Sequence, residues 1–156
     1  MARVDYFHDP NAPKVNSVKP AVSAFVQDVA GRLLMIRRTD NDLYSIPGGG
    51  QEVGETLAQT AVREVKEETG IDVEVTGLIG LYSNPAHVIA YDDGEVRQEF
   101  SICFRARLIG GKLRTSSESK EVEWVAHERL DELNIHPSIQ LRIGRGFENR
   151  SEPYYT

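Results

Sequence analysis

Residues 48–73 read GGGQEVGETLAQTAVREVKEETGIDV, a glycine-rich turn followed first by helical and then by alternating apolar spacing. Thr56 and Gln59 have the spacing of a capping box, and Gly70 stands where a left-handed C-terminal cap belongs. Between these caps the apolar residues recur three and four positions apart, at Leu57, Ala58, Ala61, Val62 and Val65. The pattern predicts a helix that begins after Thr56 and ends before Gly70.

Three glutamates of this helix lie beside its apolar stripe. On a wheel of about 100° per residue with Leu57 at zero, the stripe runs from zero to about 140°. Glu64, Glu67 and Glu68 lie near ~340°, ~280° and ~20° on that wheel. Their mutual repulsion costs only roughly 0.4–1 kcal/mol, which a stable protein tolerates. The cluster alone therefore fits either a solvated acidic face or a cation site.

Strand patterns lie on both sides of this helix. Residues 21–27 and 32–37 predict a β-hairpin around Gly31, and alternation over 71–75 predicts a strand directly after the helix, continued over 78–82. Further strands are predicted over 100–108 and 121–125, a short helix over 128–133 and a last helix over 137–147. Hairpin and helical connections together predict a sheet with both parallel and antiparallel pairs.

The two ends of the chain are expected to lie outside the domain. Residues 1–20 are polar and interrupted by Pro10, Pro13 and Pro20, which predicts an irregular N-terminal arm that could cross a partner subunit in a homodimer. Residues 21–147 are predicted to form a single domain, and residues 148–156 a polar tail. Gly48–Gly50 are predicted to form a loop rather than a strand.

The composition is that of a folded domain. A length of 156 residues suits one domain, and 40% hydrophobic with 27% charged residues are ordinary globular values. Twenty-four acidic against 18 basic residues give a net charge of −6, which argues against nucleic acid or anionic membranes as partners and requires a cation for an anionic substrate. The single Cys103 excludes an intrachain disulfide. Without a signal-peptide pattern or a long apolar run, we expect a cytoplasmic location.

Gly49, Glu55 and the run Arg63-Glu64-Val65-Lys66-Glu67-Glu68-Thr69-Gly70-Ile71 together resemble the Nudix box of the Nudix hydrolases. Every specified residue of the box matches, and at average residue frequencies the probability of this is well below about one in a million. Residues 43–49 also resemble the family's lead into the box, although Tyr44 stands where a Trp is commoner. The resemblance covers residues 21–143.

The resemblance implies an α/β (α+β) fold, an α/β/α sandwich around a mixed β-sheet, and hydrolysis of a diphosphate linked to another moiety with Mg²⁺ or Mn²⁺ as cofactor. It implies that Glu64, Glu67 and Glu68 bind the metal and that a backbone carbonyl of Gly48 or Gly49 adds a ligand. The residue types fit, because hard cations take oxygen ligands and bridge carboxylates to phosphates. We expect the cations to neutralise the diphosphate and acidify a water, without a covalent enzyme intermediate.

A carboxylate is expected to accept the proton of the attacking water. In the resembling family this base is variable, so the candidates are Glu67 or Glu68 in the box and Glu118 or Glu121 before a later strand. The last two also fit ordinary surface acids. By analogy, Arg63 and Glu55 brace the segments around the helix rather than touch the substrate.

The substrate is predicted to be a nucleoside diphosphate derivative, with ADP-ribose or a nucleotide sugar ahead of a nucleoside triphosphate or dinucleoside polyphosphate. Pro85 follows Gly70 by fifteen residues, as a proline does in ADP-ribose-cleaving Nudix enzymes, although a loop breaker explains it equally. Arg37 and Arg38, at a strand end, fit either phosphate ligands or solvated side chains. A non-catalytic nucleotide-binding module is the rival class, and the intact box argues against it.

Aromatic and histidine residues carry weaker signals. Tyr82, Tyr91 and Phe100 offer surfaces on which a base can stack, although the alternation around Phe100 favours the core for that residue. The histidines show no spacing typical of a metal site. His136, directly before Pro137, is expected to start the last helix.

Overall fold

The computed structural model describes residues 3–156. The strands are β1 Arg3–Phe7, β2 Ser17–Val18, β3 Ala21–Gln27, β4 Leu33–Arg38, β5 Tyr44–Ser45, β6 Gly48–Gly50, β7 Ile71–Tyr82, β8 His87–Tyr91, β9 Val96–Gln98, β10 Ser101–Gly111, β11 Ser119–Val125 and β12 Tyr154–Tyr155. The helices are α1 Leu57–Thr69, a 3-10 helix His127–Glu132, and α2 Pro137–Glu148. Within these described residues no helix is long and apolar enough to span a membrane.

The large sheet is mixed. Its strands follow the order β11-β4-β3-β10-β7-β12, with β5 beside β4 and β6 beside β3. Strand β10 runs parallel to β3 and antiparallel to β7. The predicted mixture of parallel and antiparallel pairs is therefore confirmed.

One helix covers each face of this sheet. Along β3 the side chains alternate, so Ala24 and Val26 pack with Val65 of α1, whereas Phe25 packs with Ile143 of α2 in a separate cluster. Both clusters consist of buried apolar side chains. This alternation produces the three-layered α/β/α arrangement and confirms the predicted fold class.

The ends of α1 are capped as predicted. The Thr56 hydroxyl accepts from the Gln59 amide at 3.1 Å, and the Gln59 side chain accepts from the Thr56 amide at 2.9 Å. Gly70 has the left-handed conformation, with φ of 79°. Because β7 begins at the next residue, the last turn of α1 is held directly against the sheet.

The prediction of a loop over the glycines is wrong. Gly48–Gly50 form β6, which pairs antiparallel with β3. A Cβ atom on Gly48 would lie 2.2 Å from the carbonyl oxygen of Val22, so the strand can approach this closely because it lacks a side chain there.

The prediction of an irregular arm over residues 1–20 is also wrong where β1 and β2 form. Met1 and Ala2 lie outside the described residues. Strand β1 pairs antiparallel with β8 of the same chain, in a second sheet of order β1-β8-β9-β2. The prolines Pro10 and Pro13 lie in the connection between β1 and β2, where they interrupt no ladder. The described part of the arm is thus paired within its own chain, and the homodimer stays a prediction.

The C-terminal end is partly structured as well. Helix α2 extends to Glu148, and β12 pairs parallel with β7 at Gly80 and Leu81. The last residues of the predicted polar tail thus add an edge strand to the large sheet.

Candidate active site

A cavity of about 290 Å³ opens between the two sheets, the start of α2 and the inner side of α1. Glu64 and Glu68, one turn apart on α1, are buried against it. A carboxylate oxygen of each lies within 4.8 Å of one from Glu118, which precedes β11. These three acids form the carboxylate cluster of the site.

The glycine strand shapes this cluster. A Cβ atom on Gly49 would lie only 2.4 Å from Cδ of Glu64, and the Gly48 amide donates to Oε2 of Glu68 at 3.4 Å. The carboxylate of Glu64 therefore occupies the space that a side chain on Gly49 would need. Both predicted glycines line the cavity, as expected for residues that offer backbone atoms to a ligand.

The two buried carboxylates are costly to ionise. Burial raises the pKa of Glu64, and Arg63 opposes this only partly. Burial raises the pKa of Glu68 well above its usual value, and the neighbouring charge of Glu64 raises it further, against the attraction of Arg38. A divalent cation with oxygen ligands fits this arrangement, because it would offset the charge that burial destabilises.

The predicted trio of helix glutamates is not brought together. The side chain of Glu67 is 59% exposed and accepts from Arg63 at 3.3 Å. Glu118 lies beside Glu64 and Glu68 in the place expected for Glu67. This follows from the helical wheel, where Glu67 is the glutamate farthest from the buried stripe.

Arg63 joins the segments on both sides of the cluster. It donates to both carboxylate oxygens of Glu55, at 2.6 and 2.9 Å, to the carbonyl oxygen of Gly50 at 3.0 Å, and to Glu64 at 2.9 Å. The hydrogen bonds from Arg63 lower the pKa of Glu55 to about 2. These contacts are those of a bracing pair, as the family resemblance implied.

The two candidate bases on the later segment lie in different places. Glu118 lines the cavity, and its backbone is held by Thr39, whose amide donates to its carbonyl oxygen at 3.1 Å. Glu121 lies outside the cavity lining and accepts from Arg37 at 3.2 Å and from the Tyr44 hydroxyl. The structure thus brings Glu118, and not Glu121, to the buried carboxylates.

The adjacent residues Arg37 and Arg38 also lie in different places. Arg38 lines the cavity but is held by Asp40 through two hydrogen bonds of 2.9 and 2.6 Å. Arg37 lies outside the cavity lining and donates to Asp42 at 2.7 Å. Consecutive residues of a strand point to opposite faces, so only one of the two can reach the site.

The predicted substrate contacts are only partly at the cavity. Tyr82 is 2% exposed and packs under the Arg142 guanidinium, in the core. Pro85 lies in the exposed turn between β7 and β8, outside the cavity lining. Tyr91 and Phe100 do line the cavity. Phe100 is 43% exposed, so the expectation that it belongs to the core is wrong; it lies just before the start of β10.

A chain of charged residues crosses the far wall of the cavity, and no sequence pattern predicted it. The ring of His87 lies between Asp5 at 3.1 Å and Glu99 at 3.2 Å, and Glu99 accepts from Arg142 at 2.6 Å. Asp5 also accepts from Arg3 at 2.7 Å. The alternation of residues 3–7 was the available signal for β1, but nothing local indicates that these side chains meet.

The charges of this wall stabilise one another. Burial opposes a charged His87 ring, but hydrogen bonds with Asp5 and Glu99 outweigh it and raise the pKa of His87. Burial likewise opposes ionisation of Glu99, but its bonds with His87 and Arg142 lower its pKa to about 2. Asp5, His87 and His136 offer ligand atoms within 4.8 Å of one another. A cation fits poorly there, since both nitrogens of His87 already have carboxylate partners and the Arg3 guanidinium places a positive charge against Asp5.

The protein is thus an α/β/α sandwich whose cavity holds buried acids beside a glycine strand, an arrangement that suits a divalent cation. A family model described as "NUDIX domain" matches residues 18–143. The chain therefore belongs to the NUDIX family, and within that family it is a pyrophosphohydrolase, as predicted from the box.

Relatives agree with this assignment. The chain is 40% identical over 121 residues to a "MutT-like protein" of Streptomyces ambofaciens, covering 78% of this chain and 71% of the relative. It is 36% identical over 110 residues to an "ADP-ribose pyrophosphatase" of Methanocaldococcus jannaschii, covering 65% of this chain and 59% of the relative.

Solved structures agree on the fold. An ADP-ribose pyrophosphatase from Streptococcus suis superposes with a TM-score of 0.65 at 21% identity, covering 88% of this chain and 96% of that one. A NUDIX hydrolase from Nitrosomonas europaea does so with a TM-score of 0.71 at 24% identity, covering 92% of this chain and 78% of that one.

Proposed function

We propose that the protein hydrolyses the diphosphate linkage of a nucleoside diphosphate derivative, with ADP-ribose or a nucleotide sugar as substrate and Mg²⁺ or Mn²⁺ as cofactor. The observation that carries the proposal is the carboxylate cluster, in which two buried acids and one exposed acid converge within 4.8 Å at a cavity. The name of the relative from M. jannaschii supports the choice of ADP-ribose.

Glu64 and Glu68 are the proposed ligands of the cation, with a backbone carbonyl of Gly48 or Gly49 beside them. When bound, the cation supplies positive charge to the diphosphate and lowers the pKa of a water. Glu67 is held by Arg63 in the present arrangement and would join the ligands only by turning inward. Arg63 keeps Glu64 in place through its contacts with Glu55 and Gly50.

Glu118 is the proposed base. Its exposed carboxylate faces the cavity next to the buried pair, so it can take a proton from a water as the water oxygen attacks phosphorus. The bond between that phosphorus and the bridging oxygen breaks, and the two products each leave with a phosphate. No side chain needs to bond to the substrate in this scheme.

Product analysis with ADP-ribose tests the proposal. We expect AMP and ribose 5-phosphate to form with Mg²⁺ or Mn²⁺ and not with EDTA. Glu68→Gln should lower kcat/KM by roughly 10²–10³-fold, and Glu118→Gln should lower kcat by about 10²-fold or more at similar KM. The matched control is Glu74→Gln, which changes an exposed residue of β7 paired with Arg107 and should keep full activity. Full turnover in EDTA or in Glu68→Gln would refute the metal site.

The same assay separates the alternative substrates. A nucleoside triphosphate pyrophosphohydrolase, the second candidate, would release pyrophosphate. A dinucleoside polyphosphate would yield two nucleotides. Binding of ADP-ribose without any product, under either cation, would favour a non-catalytic nucleotide-binding module.

A further inference from the structure

The cations that line the cavity, most of them on the wall away from the carboxylate cluster, already have partners. Arg3 pairs with Asp5 at 2.7 Å, Arg38 with Asp40 at 2.6 Å, Arg97 with Glu95 at 2.8 Å and Arg142 with Glu99 at 2.6 Å. His87 lies between two carboxylates, and Lys19 lies 3.4 Å from Glu95. Across residues 3–156, every arginine or lysine that lines this cavity therefore has an acidic partner.

A terminal phosphate bound at this wall would meet the carboxylates that already neutralise these cations, and their negative charges would oppose it. An uncharged group can bind without this repulsion, because it needs only a hydrogen-bond donor and an acceptor. The wall thus favours a substrate that is neutral beyond the diphosphate.

His136 supplies a donor of fixed orientation. The backbone amide of Ser138 donates to its Nδ1 at 3.2 Å, so in the neutral ring the proton is on Nε2. Burial lowers the pKa of His136, which keeps the ring neutral. The ring stacks on His87 with centroids 5.1 Å apart and meets the edge of Phe7 at 5.3 Å.

The ring of His136 has an open nitrogen and lies near an acceptor. His136 lines the cavity, and within the described part of the chain its Nε2 has no hydrogen-bond partner. A ring nitrogen of His136 and a carboxylate oxygen of Asp5 lie within 4.8 Å. A single hydroxyl oxygen can bridge two such atoms, since each hydrogen bond spans about 2.8 Å.

We infer that His136 and Asp5 form a hydroxyl-binding subsite that recognises the uncharged moiety on the far side of the diphosphate, with His136 donating from Nε2 and Asp5 accepting. The inference rests on the proposed function for the diphosphate itself. It makes His136 a specificity-determining residue for hydroxylated moieties such as sugars.

The test uses His136→Asn. His136 is the N-cap of α2, and asparagine is also a good N-cap. The asparagine side chain keeps an acceptor for the Ser138 amide but lacks the Nε2 donor. For ADP-ribose we expect KM to rise about tenfold with kcat nearly unchanged, as expected for one lost hydrogen bond away from the reacting atoms. For the methyl ester of ADP, which lacks hydroxyls beyond the diphosphate, KM should not change.

The control is His127→Asn, at the start of the 3-10 helix and outside the cavity lining, which should leave both substrates unaffected. Circular dichroism and thermal melting confirm that the variants are folded. Equal effects of His136→Asn on both substrates, or no effect on ADP-ribose, would overturn the inference.

A binding measurement separates this inference from the proposed function. The Kd of α,β-methylene ADP-ribose with Mg²⁺, measured by calorimetry, does not require turnover. A wild-type protein that binds this analogue but hydrolyses nothing refutes the proposed function, while an approximately tenfold weaker Kd in His136→Asn would still support the subsite. A wild-type protein that does not bind the analogue refutes both.

Discussion

At the scale of single residues, the site depends on a side chain that is absent. Gly49 lets the strand β6 lie against the carboxylate of Glu64, whereas its neighbour Gly50 has open space where a Cβ atom would be. Neither glycine has a positive φ, so backbone strain does not account for a difference between the two positions. The difference between the two positions is purely one of space beside the carboxylate.

This difference predicts opposite outcomes for two alanine substitutions. In Gly49→Ala the new methyl group displaces the flexible end of Glu64, so we expect activity to fall by roughly 10²-fold and the Mg²⁺ requirement to rise. In Gly50→Ala we expect activity within about threefold of wild type. Steady-state kinetics over a Mg²⁺ titration measures both effects.

Thermal melting completes the comparison. Because only the end of a side chain must move in Gly49→Ala, its melting temperature without metal should stay near that of the wild type. An active Gly49→Ala protein, or an equally damaged Gly50→Ala protein, would contradict the role given to this close approach.

At the scale of elements, α2 packs on the sheet through a glycine. A Cβ atom on Gly146 would lie 2.4 Å from the ring of Phe25, which is fully buried and cannot move aside. The Gly146 carbonyl oxygen also accepts from Arg105 at 2.7 Å. Gly144, in the same helix, has open space around the equivalent atom.

Alanine at these two positions should change stability in opposite directions. Gly146→Ala should lower the free energy of unfolding by about 1–3 kcal/mol through overpacking. Gly144→Ala should raise it by about 0.5–1 kcal/mol, because alanine loses less backbone entropy in a helix. Urea denaturation of both variants measures this, and equal effects would show that α2 is not seated as described.

The attachment of β1 depends on the charge of His87. Because the pKa of His87 is raised in the folded protein, its contribution to stability is fully present below the ordinary value of 6.5 and is lost as the pH rises through the folded value. We therefore expect the free energy of unfolding to fall with pH above 6.5.

His87→Gln isolates this contribution. It removes the titrating group, so the decline in unfolding free energy above pH 6.5 should be shallower than in the wild type, as measured by urea denaturation across this range. The control is His127→Gln, away from Asp5 and Glu99, which should retain the wild-type slope. A slope in His87→Gln as steep as that of the wild type would show that this ring does not anchor β1.

At the scale of the whole molecule, the carboxylate cluster joins parts that are distant in the chain. Glu64 and Glu68 belong to α1, Gly48 to β6, and Glu118 to the segment before β11, whose Ser119 hydroxyl donates to the Glu68 carbonyl oxygen. A ligand bound there should stabilise the fold as a unit, because it binds the folded chain and not the unfolded one.

Divalent metal should therefore raise the melting temperature. At 100 times its Kd, a bound cation adds about 2.7 kcal/mol, which corresponds to roughly 5–10 °C for a domain of this size. EDTA should reverse the rise, and Glu68→Gln should abolish it without destabilising the metal-free protein, since a neutral side chain avoids repulsion with Glu64. Glu74→Gln should respond as the wild type does. A wild-type melting temperature unaffected by Mg²⁺ would contradict the site.

Local spacing was sufficient for the centre of the fold. The helix from Leu57 to Thr69 and its caps follow from local spacing, because the hydrogen bonds of a helix and its caps join residues a few positions apart. The strand from Ile71 follows from its alternation of apolar and polar residues, although its partner strands lie far away in the chain. The same spacing already ranks Glu64 and Glu68 closer to the buried stripe than Glu67. The box of acids and glycines likewise indicated the family.

Long-range packing was needed for the rest. Asp5, His87, Glu99 and Arg142 come from separate segments, and they meet because β1 pairs with β8 beside α2, an order that no local pattern encodes. The same holds for Glu118 reaching Glu68 across 50 positions of chain and for Phe100 facing the cavity. Periodicity specifies which face of an element is buried, but the neighbour that covers that face depends on the arrangement of all the elements at once.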